Sequence, residues 1–163
     1  MAARKKLDPL DLKLLDCLQQ DNLLTAEALA ERVGRSPSAV ARRLRQLRSG
    51  GAIAADRAIV SEEAAGRPLF VIVQLQLERH ALNEVEAFRR QLVASEHVQL
   101  CCEVSGAFDM LLMVVAADMD AYNAFADGLL ASHKAVRRYE TSFVKKRLKA
   151  SLALPLAHLA RAG

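Results

Sequence analysis

The stretch that most constrains this chain runs from Gly34 to Arg48, Gly-Arg-Ser-Pro-Ser-Ala-Val-Ala-Arg-Arg-Leu-Arg-Gln-Leu-Arg. Ser36 is a good helix cap, and Pro37 suits the first helical position, where a missing N–H costs nothing. Val40, Leu44 and Leu47 follow at i, i+4 and i+7, so a single narrow stripe is apolar. From Arg35 to Arg48 there are five arginines and no acid. A helix that packs along one stripe and is cationic elsewhere is suited to lie against an anion, and its N-terminus adds partial positive charge. The anion that accepts a whole helix is duplex DNA, in its major groove. Arg35, Ser36, Ser38, Ala39, Arg42, Arg43 and Gln46 are the residues placed to reach phosphates or base edges. Arg can take guanine with two hydrogen bonds and Gln can read adenine. Replacing Arg43 by Ala is expected to weaken DNA binding without changing oligomer size. A solvated face of incidental charge is the plainer reading of these arginines, and the residues that precede them weigh against it.

Leu7-Asp8-Pro9 reads as a helix start, with Asp8 as cap, Pro9 in the first turn and Leu7 able to staple onto Leu12. Leu10, Leu14, Cys17 and Leu18 carry an apolar face to about Gln20, and Asp21-Asn22 breaks it. Thr25 caps a second helix whose inner face is Leu29, Ala30 and Val33, and Gly34 fits the left-handed position that ends it. Helix, tight glycine turn, capped cationic helix is the helix-turn-helix pattern. Gly50-Gly51 stops the third helix, and Ile53 to Val60 has enough β-branched residues for a short hairpin, the usual wing. Residues 1–61 are thus expected to form a winged helix-turn-helix domain, and residues 62–68 a linker. Charge divides the chain at the same place. Residues 1–61 hold 11 Lys/Arg against 7 Asp/Glu, whereas residues 62–163 hold 12 of each. A basic part joined to a neutral part suggests nucleic acid for the first and another task for the second.

From Leu69 the hydrophobic period changes from 3.6 towards 2. Leu69 to Leu77 reads as a strand, Asn83 to Ala94 as a helix through Val85, Phe88 and Leu92, and Val98 to Ser105 and Met110 to Ala116 as two strands joined around Gly106-Ala-Phe-Asp109. Asp118 to Ser132 follows as a helix with Tyr122, Phe125 and Leu129 inward, and Val136 to Leu148 as a last strand. The order β-α-β-β-α-β is the ferredoxin-like split unit, expected over residues 69–149, so the fold class is α+β. Two helices cover one face of such a sheet. The open face, together with a spare apolar tail at residues 150–163 (Leu152, Leu154, Leu156, Leu159), predicts a homo-oligomer.

The two halves together resemble the Lrp/AsnC family, the feast/famine transcription regulators. The resemblance is carried by Leu7-Asp8-x-x-Asp11-x-x-Leu14-Leu15-x-x-Leu18-Gln19-x-Asp21, by Ser36-Pro37-Ser38 and by Gly106-x-Phe108-Asp109-x-x-Leu112, and spans roughly residues 7 to 149. It implies a winged helix-turn-helix followed by an effector-binding RAM domain. It further implies dimers paired through the sheets of that domain, higher assemblies up to octamers, and a small effector, usually an amino acid, bound near the connection between the strands at Val98 to Ser105 and Met110 to Ala116. By that match the effector role falls on Ser105, Gly106, Ala107, Phe108 and Asp109, with Thr141 and Ser142 added from the last strand. Ala107 departs from the family pattern: many members carry an acid there, which could face an effector's ammonium group. Asp109 has a plainer alternative as the cap of a β-turn.

Other classes have little support. No apolar run reaches the ~18 residues of a membrane span, and no signal-peptide core follows the basic start. Cys17, Cys101 and Cys102 do not make a disulfide framework, so a reduced cytoplasm is expected. Aromatics at 4% and no Trp argue against recognition of single strands by stacking. His80, His97, His133 and His158 lack metal-ligand spacing, and no motif calls for a cofactor. No phosphate-binding or nucleophile motif is present, so the chain does not read as an enzyme. The rival is a siroheme-decarboxylase-like enzyme on the same plan, for which His97 and Arg138 are the candidate residues and the arginine-rich helix would be idle.

Overall fold

The computed structural model describes residues 7–78 and 82–156. His80, His158, the basic residues before Leu7 and the tail beyond Leu156 lie outside them. The chain forms two compact units, one from the residues up to Ile59 together with those from Lys149 onward, the other from Val60 to Leu148.

The first unit is helical. Helix α1 (Pro9–Gln20) opens on a reciprocal capping box. The Asp8 carboxylate accepts the Asp11 N–H at 2.8 Å, and the Asp11 carboxylate accepts the Asp8 N–H at 3.1 Å. Helix α2 (Ala26–Val33) is capped by Thr25 and ends on Gly34 at φ 64°, ψ 47°, a left-handed conformation that glycine adopts without a Cβ penalty. Ser36 then caps α3 (Pro37–Ser49), so Gly34, Arg35 and Ser36 suffice to turn the chain from one helix to the next. Leu14, Leu15, Leu18, Leu29, Ala30, Val40, Leu44 and Leu47 form one buried cluster. The apolar stripe of α3 therefore faces α1 and α2, and Arg42 and Arg45 are left exposed.

Two expectations for this unit are corrected. The hairpin expected over Ile53–Val60 is absent, since no strand forms between Gly51 and Pro68. Ala54-Ala55-Asp56 has weak strand propensity and no glycine or asparagine to close a tight hairpin turn. Ile53 instead packs against the helical core, and Arg48 grips Asp56 through Nε at 2.9 Å and Nη2 at 3.3 Å. The tail, in its described part, is not spare. The Gln19 side chain accepts the Leu154 N–H at 2.6 Å and donates to the Leu154 carbonyl at 3.1 Å, while Leu156 packs against the helical core.

The second unit is a four-stranded antiparallel sheet in the order β2-β3-β1-β4, built from β1 (Leu69–Leu77), β2 (Val98–Glu103), β3 (Met110–Ala116) and β4 (Val136–Phe143). Helix α4 (Leu82–Ala94) connects β1 to β2, and α5 (Met119–Phe125) lies between β3 and β4. Alternation along β1 and β3 sends Val71, Val73, Leu75, Met110, Leu112 and Val114 to the helix side, where Phe88, Leu92, Tyr122 and Leu130 complete the core. Phe70, Ile72, Leu111 and Met113 fall on the other face. The linker expected over residues 62–68 is a helical turn capped by the Ser61 hydroxyl on the Ala64 N–H and closed by Gly66 at φ 78°.

Two element ends also differ from expectation. The helix expected over Asp118–Ser132 is regular only to Phe125 and continues as a π-helical segment, Ala126–Ala131. Gly128 lies within it, and the Ser132 hydroxyl donates to the Gly128 carbonyl at 2.8 Å. The last strand stops at Phe143 rather than Leu148, followed by Lys145-Lys146-Arg147. There Arg147 folds over the Phe70 ring at 4.3 Å and pairs with Glu62.

Truncation after Leu148 is expected to lower the stability of the helical unit by about 1–3 kcal/mol, and Gln19→Ala alone by about 1 kcal/mol. Urea denaturation followed by far-ultraviolet circular dichroism measures both.

Candidate functional site

Helix α3 presents its polar surface as the sequence pattern requires. Arg35, Ser36, Ser38, Arg42 and Gln46 are exposed, and Ala39 and Arg43 are half-buried. Arg35, Ala39, Arg42, Arg43 and Gln46, with Leu10 of α1, line an open cleft of about 430 Å³. The structure thus brings five of the seven expected DNA-facing residues onto one surface. Ser36 and Ser38 stand beside it at the helix N-terminus, their hydroxyls 3.3 Å apart. Among the described residues, no acid pairs with Arg35, Arg42 or Arg45.

The remaining arginines of α3 are engaged. Arg48 is held by Asp56, whose carboxyl lies below the ordinary carboxylate range because the Arg48 guanidinium hydrogen-bonds to it. Arg43 reaches back to the start of α1. Its Nε lies 2.7 Å from Asp11 Oδ1, its Nη2 contacts Asp8 Oδ2, and its Nη1 donates to Gln46 Oε1 at 3.4 Å. The Asp11 side chain is 6% exposed, so its charge requires this partner. Asp8 and Asp11 were not singled out as site residues. Their spacing is that of a capping box with Asp at the third helical position, a local signal that says nothing about α3.

In the second unit the β2–β3 connection is tied to the end of β1. The Asp109 carboxylate accepts the Leu77 N–H at 2.8 Å, the Asp109 N–H donates to the Leu75 carbonyl at 2.8 Å, and the Gln76 amide donates to the Ala107 carbonyl at 2.8 Å. Leu77 lies beyond the last β1–β3 pair, Leu75 with Met110, so its N–H, which faces the β3 side, would otherwise lack a ladder partner. Asp109 therefore performs a capping role. Ser105, Gly106 and Ala107 are exposed, Phe108 is half-buried, and Gly106 has φ 139°, a value that disfavours any side chain. Gln76 is a loop-holding residue that periodicity could not single out.

Thr141 and Ser142 are not brought to this loop within one chain. Thr141 pairs with Val73, well along β1 from the loop, and Ser142 lies on the opposite face from it. The Thr141 hydroxyl bonds the Tyr122 hydroxyl at 2.6 Å, and burial pushes the Tyr122 phenol up. His97 and Arg138 do not converge either. His97 stands beside β2 with Nδ1 3.2 Å from the Val115 carbonyl, whereas Arg138 is on β4, the opposite edge strand, paired with Glu140. Cys101 packs against the core and burial raises its thiol above the ordinary range, while Cys102 points to the open face.

Comparison with known proteins places this architecture. A family model described as Lrp/AsnC ligand binding domain matches residues 70–154, and one described as winged helix-turn-helix DNA-binding matches residues 7–54. The chain belongs to the Lrp/AsnC family of transcriptional regulators. It is 39% identical over 151 residues to an HTH-type transcriptional regulator of Sinorhizobium fredii, covering 93% of this chain and 89% of that one. It is 34% identical to the leucine-responsive regulatory protein of Haemophilus influenzae, covering 89% of this chain and 87% of the relative. A crystal structure of a transcriptional regulator from Neisseria meningitidis, in complex with L-Met, matches with a TM-score of 0.87 and 34% identity over 94% of this chain and 99% of that one.

As an Lrp/AsnC regulator, the chain carries its DNA-binding helix-turn-helix on α2 and α3 and its ligand-binding fold on the sheet unit. Among the described residues, no helix is long and apolar enough to cross a membrane. The Arg48–Asp56 tether should respond to acid. The lowered Asp56 carboxyl stabilises the tether above the unfolded carboxylate value, and this is lost as pH falls through the lower folded value. Hydrogen exchange should therefore show the segment after α3 protected equally at pH 7 and pH 5, and loosened only below about pH 4.

Proposed function

We propose that this Lrp/AsnC regulator binds duplex DNA through α3 as a homo-oligomer and that a small effector, an amino acid, adjusts that binding. The observation that carries the reading is the cleft lined by Arg35, Ala39, Arg42 and Gln46, next to cations that lack acidic partners among the described residues. Ser36 and Ser38 reach phosphate from the helix N-terminus, where backbone N–H groups also point outward. Arg35, Arg42 and Arg45 supply phosphate contacts, and Gln46 with Ala39 faces base edges. Two copies of α3 in successive major grooves set the half-site spacing. The copies associate through the open sheet face that carries Phe70, Ile72, Leu111 and Met113, and assemblies up to the octamer follow from the family plan.

The effector is placed at the β2–β3 connection, at Ser105, Gly106, Ala107, Phe108 and Asp109. The L-Met complex of the Neisseria regulator supports an amino acid as its class. Thr141 and Ser142 lie away from this loop in their own chain, and Ser142, on the open sheet face, is the one of the two that a neighbouring copy can bring to it. The effector acts through a coupling free energy between the two domains, not through chemistry. Work in the cytoplasm follows from a DNA-bound task.

Binding to the DNA upstream of its own gene should fall with salt, with a slope of log K against log salt of about −4 to −5 if four to six cations pair with phosphate. A flat response would overturn the reading. Gly106→Ala should strain the loop, removing any shift in DNA affinity caused by amino acids while leaving effector-free binding within about twofold. Salt-titrated anisotropy with and without an amino-acid pool reads both.

A further inference from the structure

Arg43 sits among residues expected to touch DNA, yet its contacts run the other way. Each of its three nitrogens has a partner within the protein: Nε with Asp11, Nη2 with Asp8, and Nη1 with Gln46. Two carboxylates share one guanidinium, so the local charge is negative where a phosphate contact needs a surplus of positive charge. The two acids also sit at the N-terminus of α1, whose dipole favours them there. Asp11 is nearly fully buried and Arg43 is 23% exposed, which keeps the contact largely away from solvent screening.

The geometry also says what such a contact does. The apolar stripe of α3 fixes which face is inward, but three residues along one line leave the helix free to rock about that line. Arg43 is off the stripe, and its planar fork meets two acceptors whose positions are locked by the reciprocal capping box. One further hydrogen bond passes from Arg43 to Gln46, a residue of the DNA-facing cleft.

We propose that Arg43 is a positioning residue: held by Asp8 and Asp11, it sets the angle at which α3 meets DNA and orients Gln46, and it does not pair with phosphate. This rests on reading α3 as the helix that enters the groove. A phosphate contact would add to specific and non-specific binding alike and to the salt slope, whereas an angle matters only where base edges are read.

The test uses the full-length protein, its own upstream DNA and a scrambled duplex of equal length. Arg42→Ala, the phosphate-contact comparator, should weaken both and reduce the salt slope by about one per contact removed. Arg43→Ala should weaken the upstream site about tenfold, the size of one lost base contact, with the scrambled duplex and the slope unchanged. Asp8→Ser keeps a good helix cap but is too short to reach Arg43, and raises the net charge by one. It should nonetheless weaken specific binding, and Arg43→Ala added to it should cost little more. Thermal melts establish that each variant is folded; if Arg43→Ala is not, Asp8→Ser alone decides. A reduced slope in Arg43→Ala, or tighter binding in Asp8→Ser, would overturn the proposal. Salt-independent binding by the wild-type protein would instead overturn the reading of α3 itself.

Discussion

A helix with three apolar anchors on one line can turn only that face inward, and much of the DNA-binding unit depends on that constraint. Burying Val40, Leu44 and Leu47 against α1 and α2 turns Arg42, Arg45 and Gln46 outward. Each buried anchor contributes roughly 1.5–3 kcal/mol relative to exposure, far more than a solvent-exposed ion pair. The inward face is therefore decided by the stripe, and the cationic surface is its consequence. Gly34 and the Ser36 cap make the constraint effective, because a longer connection would let α3 drift relative to α2.

The sheet unit obeys the same logic with a different period. Alternation along β1 and β3 separates a dry helix-facing layer from a layer that remains half-covered in one chain. The β2–β3 connection is held for a simple reason: one carboxylate, Asp109, replaces the ladder partner that Leu77 lacks beyond the end of the β1–β3 pairing. A loop held in this way can keep Gly106 at an unusual φ with its neighbours exposed, which suits a site that receives a small molecule by backbone contact.

Most of the architecture was legible in the chain because its signals are local. Caps at Asp8, Thr25 and Ser36, the glycine at Gly34 and the switch from period 3.6 to period 2 located the helices of the first unit and the strands of the second to within a few residues. The misses share a cause. The expected wing strands over Ile53–Val60 had β-branched residues but no turn chemistry, and Ile53 found a better place in the helical core. The last strand and the second sheet-unit helix ended early, where a charged run and Gly128 changed the local preference without changing the hydrophobic pattern. The exposed polar residues of α3 were legible as a group, but the pairing of Arg43 was not, since its partners lie about 30 residues earlier in the chain.

By itself, then, the sequence determined the main helices and strands, which face of each is buried and where the positive charge collects. These follow from propensity, periodicity and capping, all of which act within about ten residues. Tertiary structure alone decided that Arg43 turns inward to Asp8 and Asp11, that Asp109 caps Leu77 and that Gln19 clasps the backbone of Leu154. Each of these satisfies a polar group with a partner distant in sequence. Hydrogen bonds and ion pairs are set by position to within an ångström or so, and no pattern along the chain encodes such a distance.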